Sequence, residues 1–210
     1  MFKREYFLKR PFDLILGSLG LFFSLPLWMI FIFEIWLEDF GPVFFLQERV
    51  GKDGKLFMNK KFRSMMVDAE KLTGPIQACE NDARVTKIGR WLRRTAMDEL
   101  PQLLNIIKGE MSFVGPRPLR PMEIEVGTGK NDSISDIRFF DARSCVKPGL
   151  TGVAQVFAAR TITREYKFRY DLWYIDHQSF TLDVWLILLS VWISFSRKWD
   201  TVNKGFQKPL

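Results

Sequence analysis

Two uninterrupted apolar segments stand out along the chain. The first runs from Leu14 to Phe33 without a charged residue and is about long enough to cross a bilayer as a helix. The second, Val184 to Phe195, is too short to cross one. Its Trp185 and Trp192, with Trp199 beyond it, recur at heptad spacing on one helix face. Because tryptophan favours the headgroup region, this pattern fits an interfacial helix, and a buried core helix fits equally well.

The first apolar segment contains Pro26 near its middle, where a proline removes a backbone hydrogen bond and kinks a helix. Basic residues flank the segment on both sides, so the positive-inside rule gives no direction. They are Lys3, Arg4, Lys9 and Arg10 before it, and Arg49, Lys52, Lys55, Lys60, Lys61 and Arg63 after it. These features favour a re-entrant helix that enters and leaves the same leaflet. A simple spanning helix is the alternative, whereas a signal peptide would have a shorter apolar part and a cleavage site.

Shorter patterns between these segments predict a small domain of helices and strands. Residues 43–51 and 56–62 read as a β-hairpin that turns at Lys52–Lys55. Helices are predicted over 67–72, over 85–94 and over 164–174, the last with Tyr166, Tyr170 and Trp173 on one side. Breaks, turns and loops are predicted at 73–75, 81–84, 111–118, 123–136 and 147–152.

The segment from Thr95 to Gly109 predicts one helix with acidic residues in its first turn. Thr95 followed by Asp98 is an N-terminal capping pattern, and Gly109 is a C-terminal stop. The apolar face consists of Leu100, Leu103, Leu104 and Ile107. Asp98 and Glu99 would then lie at the positive end of the helix, after a run of arginines. Taken alone, such residues usually only complement the helix dipole.

Composition adds a requirement for an anionic partner. The 210 residues carry a formal net charge of +7, with 47% hydrophobic and 15% aromatic residues, so nucleic acid, an anionic membrane or a phosphorylated substrate could match. Cys79 and Cys145 form no CxxC pair and are typical of reduced thiols, and His177 is the single histidine. A zinc site or a histidine-based triad is therefore not expected. Carboxylates and arginines must carry any chemistry, and Arg117, bracketed by Pro116 and Pro118, suits a phosphate or a base.

Together these residues resemble the monotopic phosphoglycosyl transferases, bacterial sugar transferases whose small members initiate glycoconjugate assembly. The resemblance covers nearly the whole chain, in the segments KRPFDL at 9–14, GPVFFLQERVGKDGKLFMNKKFRSM at 41–65, residues 82–119, KPGLTGVAQV at 147–156 and residues 170–188. Its most specific part is DELPQL-N-x-x-KG-x-MS-x-VGPRP, at 98–118. An order and spacing of this length is hard to reach by chance.

The resemblance implies an α+β, predominantly helical fold at the bacterial inner (cytoplasmic) membrane. Residues 1–40 would form a re-entrant membrane helix broken at the proline, and residues 41–210 a cytosol-facing catalytic domain with an interfacial C-terminal helix. The chain departs from many members at two places. Leu25 stands where they have serine directly before the proline, with Ser24 one place earlier. Phe157–Arg160 stands where they have Asn-Gly-Arg, which bears on the identity of the sugar.

The implied reaction transfers a sugar phosphate from a UDP-sugar to a membrane polyprenyl phosphate, with undecaprenyl expected, and releases UMP. Asp98 and Glu99 match the family's catalytic dyad. Asp98 would attack the phosphate that bears the sugar and form a covalent intermediate, while Glu99 would position or deprotonate the acceptor. Both are also candidate ligands of Mg²⁺, which accepts carboxylate and phosphate oxygens. The rival hypothesis is one-step transfer, with Asp98 serving only as a metal ligand.

Further residues are predicted to bind the substrates. The candidates for phosphate or nucleotide contacts are Pro116, Arg117, Pro118, Arg84, Arg94 and Lys147, and those for the lipid phosphate are Lys9 and Arg10. The expected partners are the UDP-sugar, undecaprenyl phosphate and anionic lipids, but not nucleic acid. A homodimer is left open. The alternative from another class is a non-catalytic membrane scaffold whose basic face binds anionic lipid. The sugar and the glycan pathway are not readable from the sequence.

Overall fold

The computed structural model describes residues 5–69, 82–122, 134–158 and 162–196. Within these residues the chain forms, in order, α1 (Lys9–Asp39), β1 (Phe44–Val50), β2 (Leu56–Phe62), α2 (Lys87–Arg94), α3 (Gln102–Lys108), β3 (Ser112–Val114), α4 (Phe140–Ser144), β4 (Gly149–Thr151), α5 (Val153–Phe157), α6 (Arg164–His177) and α7 (Phe180–Ser196). Short 3₁₀ turns lie at Lys52–Gly54, Met97–Glu99 and Ile134–Asp136. The fold is mixed and mainly helical, as predicted.

Helix α1 runs without interruption for 31 residues, so the predicted break at Pro26 is not found. At 1.5 Å per residue it is about 46 Å long. The helix keeps one buried face on both sides of the proline. Gly17 lies against α3 and β3 before it, while Trp28 and Phe31 pack on Phe62 after it. Because both halves pack on the domain, the loss of one backbone hydrogen bond is not enough to divide the helix.

Polar contacts hold both ends of α1 to the same domain. Near its start, Asp13 accepts hydrogen bonds from Ser112 Oγ and from the Phe113 N–H, each at 3.0 Å. At its end, Asp39 accepts from Arg63 Nη1 at 2.9 Å. An upright spanning helix would carry its ends to opposite sides of a bilayer. The contacts therefore favour a helix with both ends on one side, although α1 is long and apolar enough to cross a membrane.

The outward face of α1 is mainly apolar from Leu14 to Phe33, and the exposed Glu34 and Glu38 follow this part. The exposed large apolar side chains of the helix are Leu14, Ile15, Leu19, Phe22, Phe23, Leu25, Leu27, Met29, Ile30, Phe33, Trp36 and Leu37. A contiguous apolar surface of this length exceeds what a soluble monomer normally exposes, and it is typical of a surface that meets lipid or another protein.

The predicted β-hairpin is confirmed. Strands β1 and β2 pair antiparallel, with Gln47 opposite Asn59 and Phe45 opposite Lys61. The turn between them has Asp53 and Gly54 at φ 55° and 73°, the left-handed region that turn residues of these types tolerate. The turn predicted over 147–152 instead contains β4, which pairs parallel with β3.

The single helix predicted from Thr95 to Gly109 is wrong in its first half. The Thr95 hydroxyl donates backwards to the carbonyls of Trp91 and Leu92 at the end of α2, so it cannot cap a following helix. Ala96 then adopts φ 56°, which breaks the helical path before the Met97–Glu99 turn. Only α3 is a regular helix here, and Gly109, at φ 87°, ends it as predicted. The basic helix predicted over 85–94 is confirmed as α2, capped by Thr86.

Helix α7 combines the two interpretations of the second apolar segment. Leu186 and Ile193 are fully buried in the core, whereas Trp185 and Trp192 are 48% and 52% exposed on the other side. One face is thus a core face and the other presents tryptophans, as an interfacial helix would.

Helix α6 was also predicted. Phe168, Asp171 and Ile175 are buried. Of the three predicted aromatic residues, Tyr170 and Trp173 are half-buried against the core and Tyr166 is exposed.

Several sequence predictions fall wholly or partly outside the described residues. These are the helix over 67–72, which is a turn as far as residue 69, the break at 73–75, the start of the turn at 81–84, Cys79, most of the loop over 123–136, Ala159 and Arg160, the basic residues Lys3 and Arg4, and Trp199. Cys145 is half-buried and forms no disulfide.

Lys9 and Arg10, predicted to contact the lipid phosphate, are used to anchor α1. Lys9 is only 2% exposed, and its Nζ donates to Asp183 at 2.6 Å, to the Tyr174 hydroxyl at 2.9 Å and to a backbone carbonyl of β3 at 2.9 Å. The Arg10 guanidinium donates to the carbonyls of Ile106 and Ile107 at the end of α3, at 2.7 Å each. The prediction for Lys9 is wrong because its ammonium is enclosed by protein. For Arg10, both Nη1 and Nη2 already donate to carbonyls of α3.

We expect Lys9→Met to lower the free energy of unfolding by about 3–5 kcal/mol, because it leaves the Asp183 carboxylate buried without its cation. Lys55→Met, on an exposed lysine, should change it by less than about 0.5 kcal/mol. Unfolding of the detergent-solubilised proteins measures both values. A Lys9→Met protein as stable as the wild type would show that the ion pair with Asp183 does not hold α1.

Candidate active site

Asp98 and Glu99 lie in the 3₁₀ turn that connects α2 to α3, facing strand β2 of the hairpin. Lys61 on β2 approaches both carboxylates. Its Nζ donates to Glu99 Oε1 at 2.5 Å and lies 3.9 Å from Asp98 Oδ2. Asp98 is 8% exposed, so its charge is largely removed from water. One lysine thus lies beside a buried carboxylate and an adjacent one that is half-buried.

The two carboxylates differ in acidity. Burial raises the pKa of Asp98, and the neighbouring Glu99 charge adds to this, while Lys61 opposes it. Burial also acts to raise the pKa of Glu99, but the charges of Lys61, Arg117 and Arg49 outweigh it and hold that pKa below its usual range. Glu99 is therefore the fixed anion of the pair, and Asp98 is the more basic carboxylate.

A small cleft, open to solvent, lies beside this pair. Its lining residues are Arg49, Asn59, Lys61, Glu99, Gln102, Arg117, Pro118, Gly149 and Leu150. Three cations and one carboxylate give it a charged part, two amides give it a neutral hydrogen-bonding part, and Pro118 and Leu150 give it an apolar wall. A ligand with phosphate, polar and flat apolar groups fits this combination better than a purely anionic one.

The Pro116–Pro118 segment presents Arg117 to the cleft. The two prolines are buried and the arginine between them is exposed. Three donors hold the backbone carbonyls of the segment: the Gly149 N–H to Pro116 at 2.8 Å, Arg143 to Arg117 at 2.8 Å and Arg49 to Pro118 at 3.2 Å. The expectation that this backbone is fixed is confirmed, and the support comes from other elements as well as from the prolines.

Arg143 connects the Arg117 segment to the core. Its Nε donates to Asp171 Oδ2 at 2.9 Å, with both side chains buried, and its guanidinium lies 4.5 Å from the centre of the Phe168 ring. The Asp171 carboxylate thus sets the direction in which Arg143 reaches the Arg117 carbonyl.

Asn105 fixes the distance between β2 and α3. It is fully buried, and its Nδ2 donates to the Met58 carbonyl at 2.8 Å while its Oδ1 accepts from the Lys60 N–H at 3.1 Å. These bonds lie next to Lys61 on the strand. They therefore also set the position of Lys61 relative to the acidic turn before α3.

Four of the residues predicted to contact phosphate or nucleotide are not among those that line the cleft: Pro116, Arg84, Arg94 and Lys147. Arg84 forms hydrogen bonds to Asp82 through Nε and Nη2 at 2.9 and 2.6 Å, and these bonds lower the pKa of Asp82 to about 2. Arg94 is exposed at the end of α2. The Lys147 N–H donates to Glu5 at 3.2 Å, and burial lowers the pKa of its ammonium.

Sequence reasoning missed Lys61, Arg49, Asn59 and Gln102 as cleft residues. It also missed Arg93, whose charge lowers the pKa of Asp98. The two-residue period of β2 places Asn59 and Lys61 on one face. Nothing in the sequence says that this face meets the acidic turn.

The residues present fit a magnesium ion that is shared with a substrate. In the described part of the chain, no group of three or more histidine, cysteine, aspartate or glutamate side chains could hold a metal by itself. Asp98 and Glu99 offer two adjacent carboxylates beside the cleft. Mg²⁺ commonly takes one or two carboxylates and completes its shell with phosphate oxygens and waters.

Comparison with known proteins identifies relatives along most of the chain. The family model described as bacterial sugar transferase matches residues 4–197. An undecaprenyl-phosphate glucose phosphotransferase of Komagataeibacter xylinus is 41% identical over 87% of this chain, and an Aeromonas hydrophila UDP-N-acetylgalactosamine-undecaprenyl-phosphate N-acetylgalactosaminephosphotransferase is 37% identical over 88%. The chain spans only 35% and 43% of their lengths. A Bacillus subtilis (strain 168) protein named as an uncharacterized sugar transferase, EpsL, is 40% identical over 88% of this chain and 85% of its own length.

Replacing Arg143 tests the support of the Arg117 segment. We expect Arg143→Met to lower the free energy of unfolding by about 3–5 kcal/mol, because the Asp171 charge stays buried without a partner. Arg143→Lys should lower the free energy of unfolding by less, since lysine keeps a cation beside Asp171. Arg138→Met removes a long, exposed ion pair to Glu165 and should change stability by about 0–1 kcal/mol. Equal values for Arg143→Met and Arg138→Met in denaturant titrations would contradict this role.

Proposed function

Because the chain belongs to the bacterial sugar transferase family, we propose that it transfers a sugar phosphate from a UDP-sugar to undecaprenyl phosphate and releases UMP. This would be the first membrane step in the assembly of a glycoconjugate or polysaccharide. The observation that carries the proposal is the buried Asp98 carboxylate, 3.9 Å from a lysine that lines a cleft with two arginines. The names of the relatives support the reaction type.

The physical difficulty of this reaction is that both substrates are anions. Lys61, Arg49 and Arg117 line the cleft, and their charges offset the repulsion between a diphosphate donor and a phosphate acceptor. The arginines can bind phosphate oxygens in a forked geometry, and Lys61 acts as a point charge beside the nucleophile. Arg49 and Lys61 lie on the two strands of the hairpin, and Arg117 lies in the Pro116–Pro118 segment. These elements position the three cations before the substrate binds.

In the first step, an Asp98 oxygen attacks the phosphorus that bears the sugar. A P–O bond to aspartate forms, the bond to UMP breaks, and UMP leaves with the bridging oxygen. In the second step, an oxygen of the polyprenyl phosphate attacks the same phosphorus and releases the Asp98 carboxylate. The product is a polyprenyl diphosphate sugar. The raised pKa of Asp98 makes this oxygen a stronger nucleophile once it is ionised.

Glu99 keeps Lys61 in place through its ion pair and remains ionised because its pKa is lowered. It is placed to position the acceptor phosphate or to accept a proton from it. Asp98 and Glu99 would hold the magnesium ion, which when bound supplies further positive charge to the phosphate oxygens. The rival route is direct transfer between the two substrates, with Asp98 acting only on the metal.

We also propose that the chain is attached to the cytoplasmic membrane by α1, with the cleft facing the cytosol. The exposed apolar face of α1 and the half-exposed tryptophans of α7 support membrane contact. The contacts of Asp13 and Asp39 with one domain support a position in which both ends of the unbroken α1 lie on the same side of the membrane. A lipid acceptor cannot leave the bilayer, so an enzyme that uses it must stay at the surface.

The test of the reaction is UMP release from a panel of UDP-sugars with Mg²⁺ and undecaprenyl phosphate, for wild type, Asp98→Asn and Asp53→Asn. Asp53 is an exposed carboxylate of the hairpin turn and serves as the control. We expect Asp98→Asn to lower turnover at least about 10³-fold, because the amide is a poor nucleophile, and Asp53→Asn to leave it unchanged.

Intact mass measured without acceptor tests the covalent step. A phosphosugar adduct on the wild type alone supports it, and turnover without an adduct under rapid quenching favours direct transfer. Absence of UMP release with every donor, together with binding to lipid vesicles, would reject the enzyme and favour a membrane scaffold.

The pH dependence of the first step follows from the charge of Lys61. The attack needs ionised Asp98, so the rate falls as the pH is lowered through the pKa of that group. Lys61 lowers this pKa, and Lys61→Met should therefore raise it and move the acid limb to higher pH. The acceptor-free burst of UMP measures this limb without ionisation of the lipid phosphate, with Lys55→Met as the control. An acid limb at the same pH in Lys61→Met and wild type would contradict the assignment.

A further inference from the structure

One buried polar atom at the edge of the cleft has no hydrogen-bond partner among the residues that the structure describes. Asn59 is 2% exposed and lines the cleft, yet its Oδ1 accepts no hydrogen bond from any residue that the structure describes. Buried side-chain amides are normally satisfied, because a lost hydrogen bond to water must be replaced. Asn59 thus differs from Asn105 in α3, whose side-chain nitrogen and oxygen both form hydrogen bonds.

The position of Asn59 on β2 relates it to the reacting phosphate. Asn59 and Lys61 are two residues apart on one strand, so their side chains leave the same face about 6.6 Å apart. Lys61 contacts both acidic residues and so marks the site of phosphoryl transfer. In a UDP-sugar, the sugar is bonded directly to the phosphate that reacts. The uracil is separated from it by the ribose and the second phosphate.

The chemistry of the Asn59 amide also agrees with a position beside the sugar. The charged side chains around it suit phosphates, whereas an uncharged amide suits hydroxyl or acylamino groups, which donate and accept hydrogen bonds without charge. Gln102, a second buried amide, lines the same cleft. Leu150 and Pro118 supply the apolar surface that the C–H faces of a sugar ring require.

We propose that Asn59 recognises the sugar that is transferred, and that its side-chain amide accepts a hydrogen bond from one hydroxyl or acylamino N–H of that sugar. This inference rests on the proposed transferase reaction. The unpaired Oδ1 of the free protein gains its partner from the correct donor. A donor that lacks the group leaves the amide buried and unpaired, which is the condition under which a polar site discriminates strongly.

The test compares donors within each variant. The preferred UDP-sugar and its deoxy derivatives, one for each hydroxyl or acylamino position, are assayed for kcat/KM with wild type, Asn59→Ala and Asn59→Ser. Met58→Ala is the control, because this neighbouring side chain is exposed and leaves the opposite face of β2. The ratio of derivative to parent in one preparation does not depend on how much of the variant is folded.

We expect one derivative to be about 10-fold poorer than the parent with wild type and with Met58→Ala. With Asn59→Ala, the kcat/KM values of the same derivative and of the parent should agree within about twofold, because the variant has no amide that could bond to the group in question. Inhibition by UMP, which lacks the transferred sugar and its phosphate, should be the same for wild type and Asn59→Ala.

Two results would overturn the assignment. In one, every derivative-to-parent ratio is the same in Asn59→Ala as in wild type. In the other, Asn59→Ala weakens UMP inhibition as much as it lowers kcat/KM for all donors, which would place the amide at the uracil. If wild type releases no UMP from any donor, the transferase reaction itself fails, so the two failures are distinguishable.

Discussion

Ionised carboxylates are costly to bury unless cations compensate them, and Lys61 lies beside both the buried Asp98 and the half-buried Glu99. The hairpin must therefore lie against the turn before α3, and Asn105 holds it there through two backbone bonds of β2. The result is an asymmetric pair. The pKa of Glu99 is lowered and that of Asp98 is raised, which agrees with the proposed role of Asp98 as the nucleophile.

The membrane-seeking helix is attached to this arrangement by charge as well as by apolar packing. Lys9 and Arg10 precede the apolar part of α1, and both are directed into the protein, where they bind Asp183 and the end of α3. The same helix that exposes a long apolar face thus contributes polar groups to the core. The exposed apolar face of α1 and the cleft are therefore parts of one packed unit, as the proposed reaction between a soluble donor and a lipid acceptor requires.

The polar side chains of the cleft include cations and neutral amides, which suit different parts of a UDP-sugar. Its cations suit the phosphates that every UDP-sugar carries, and they are fixed by contacts such as those of Arg143 and Arg49 with the Pro116–Pro118 segment. Its neutral amides suit groups that differ from sugar to sugar. Relatives named for glucose and for N-acetylgalactosamine are about equally similar to this chain. The sugar is therefore expected to depend on a few side chains, such as that of Asn59, and not on overall similarity.

The sequence by itself determined the hairpin, α2, the stop at Gly109 and the apolar character of α1, because turn residues and periodicity act locally. A long specific motif also made Asp98, Glu99 and Arg117 the candidate site residues. The sequence also predicted the fixed backbone around Arg117. The tertiary structure decided what local patterns cannot encode. Helix α1 is continuous because it packs on the domain on both sides of Pro26. The Thr95 hydroxyl bonds back to α2, so Thr95 lies at the end of that helix and does not begin the next one. Lys9 is buried and holds α1 to the core, although the sequence suggested a surface charge. Lys61 and Asn59 became site residues only because β2 meets the acidic turn, a contact between segments about 40 residues apart in the chain that spacing alone does not reveal.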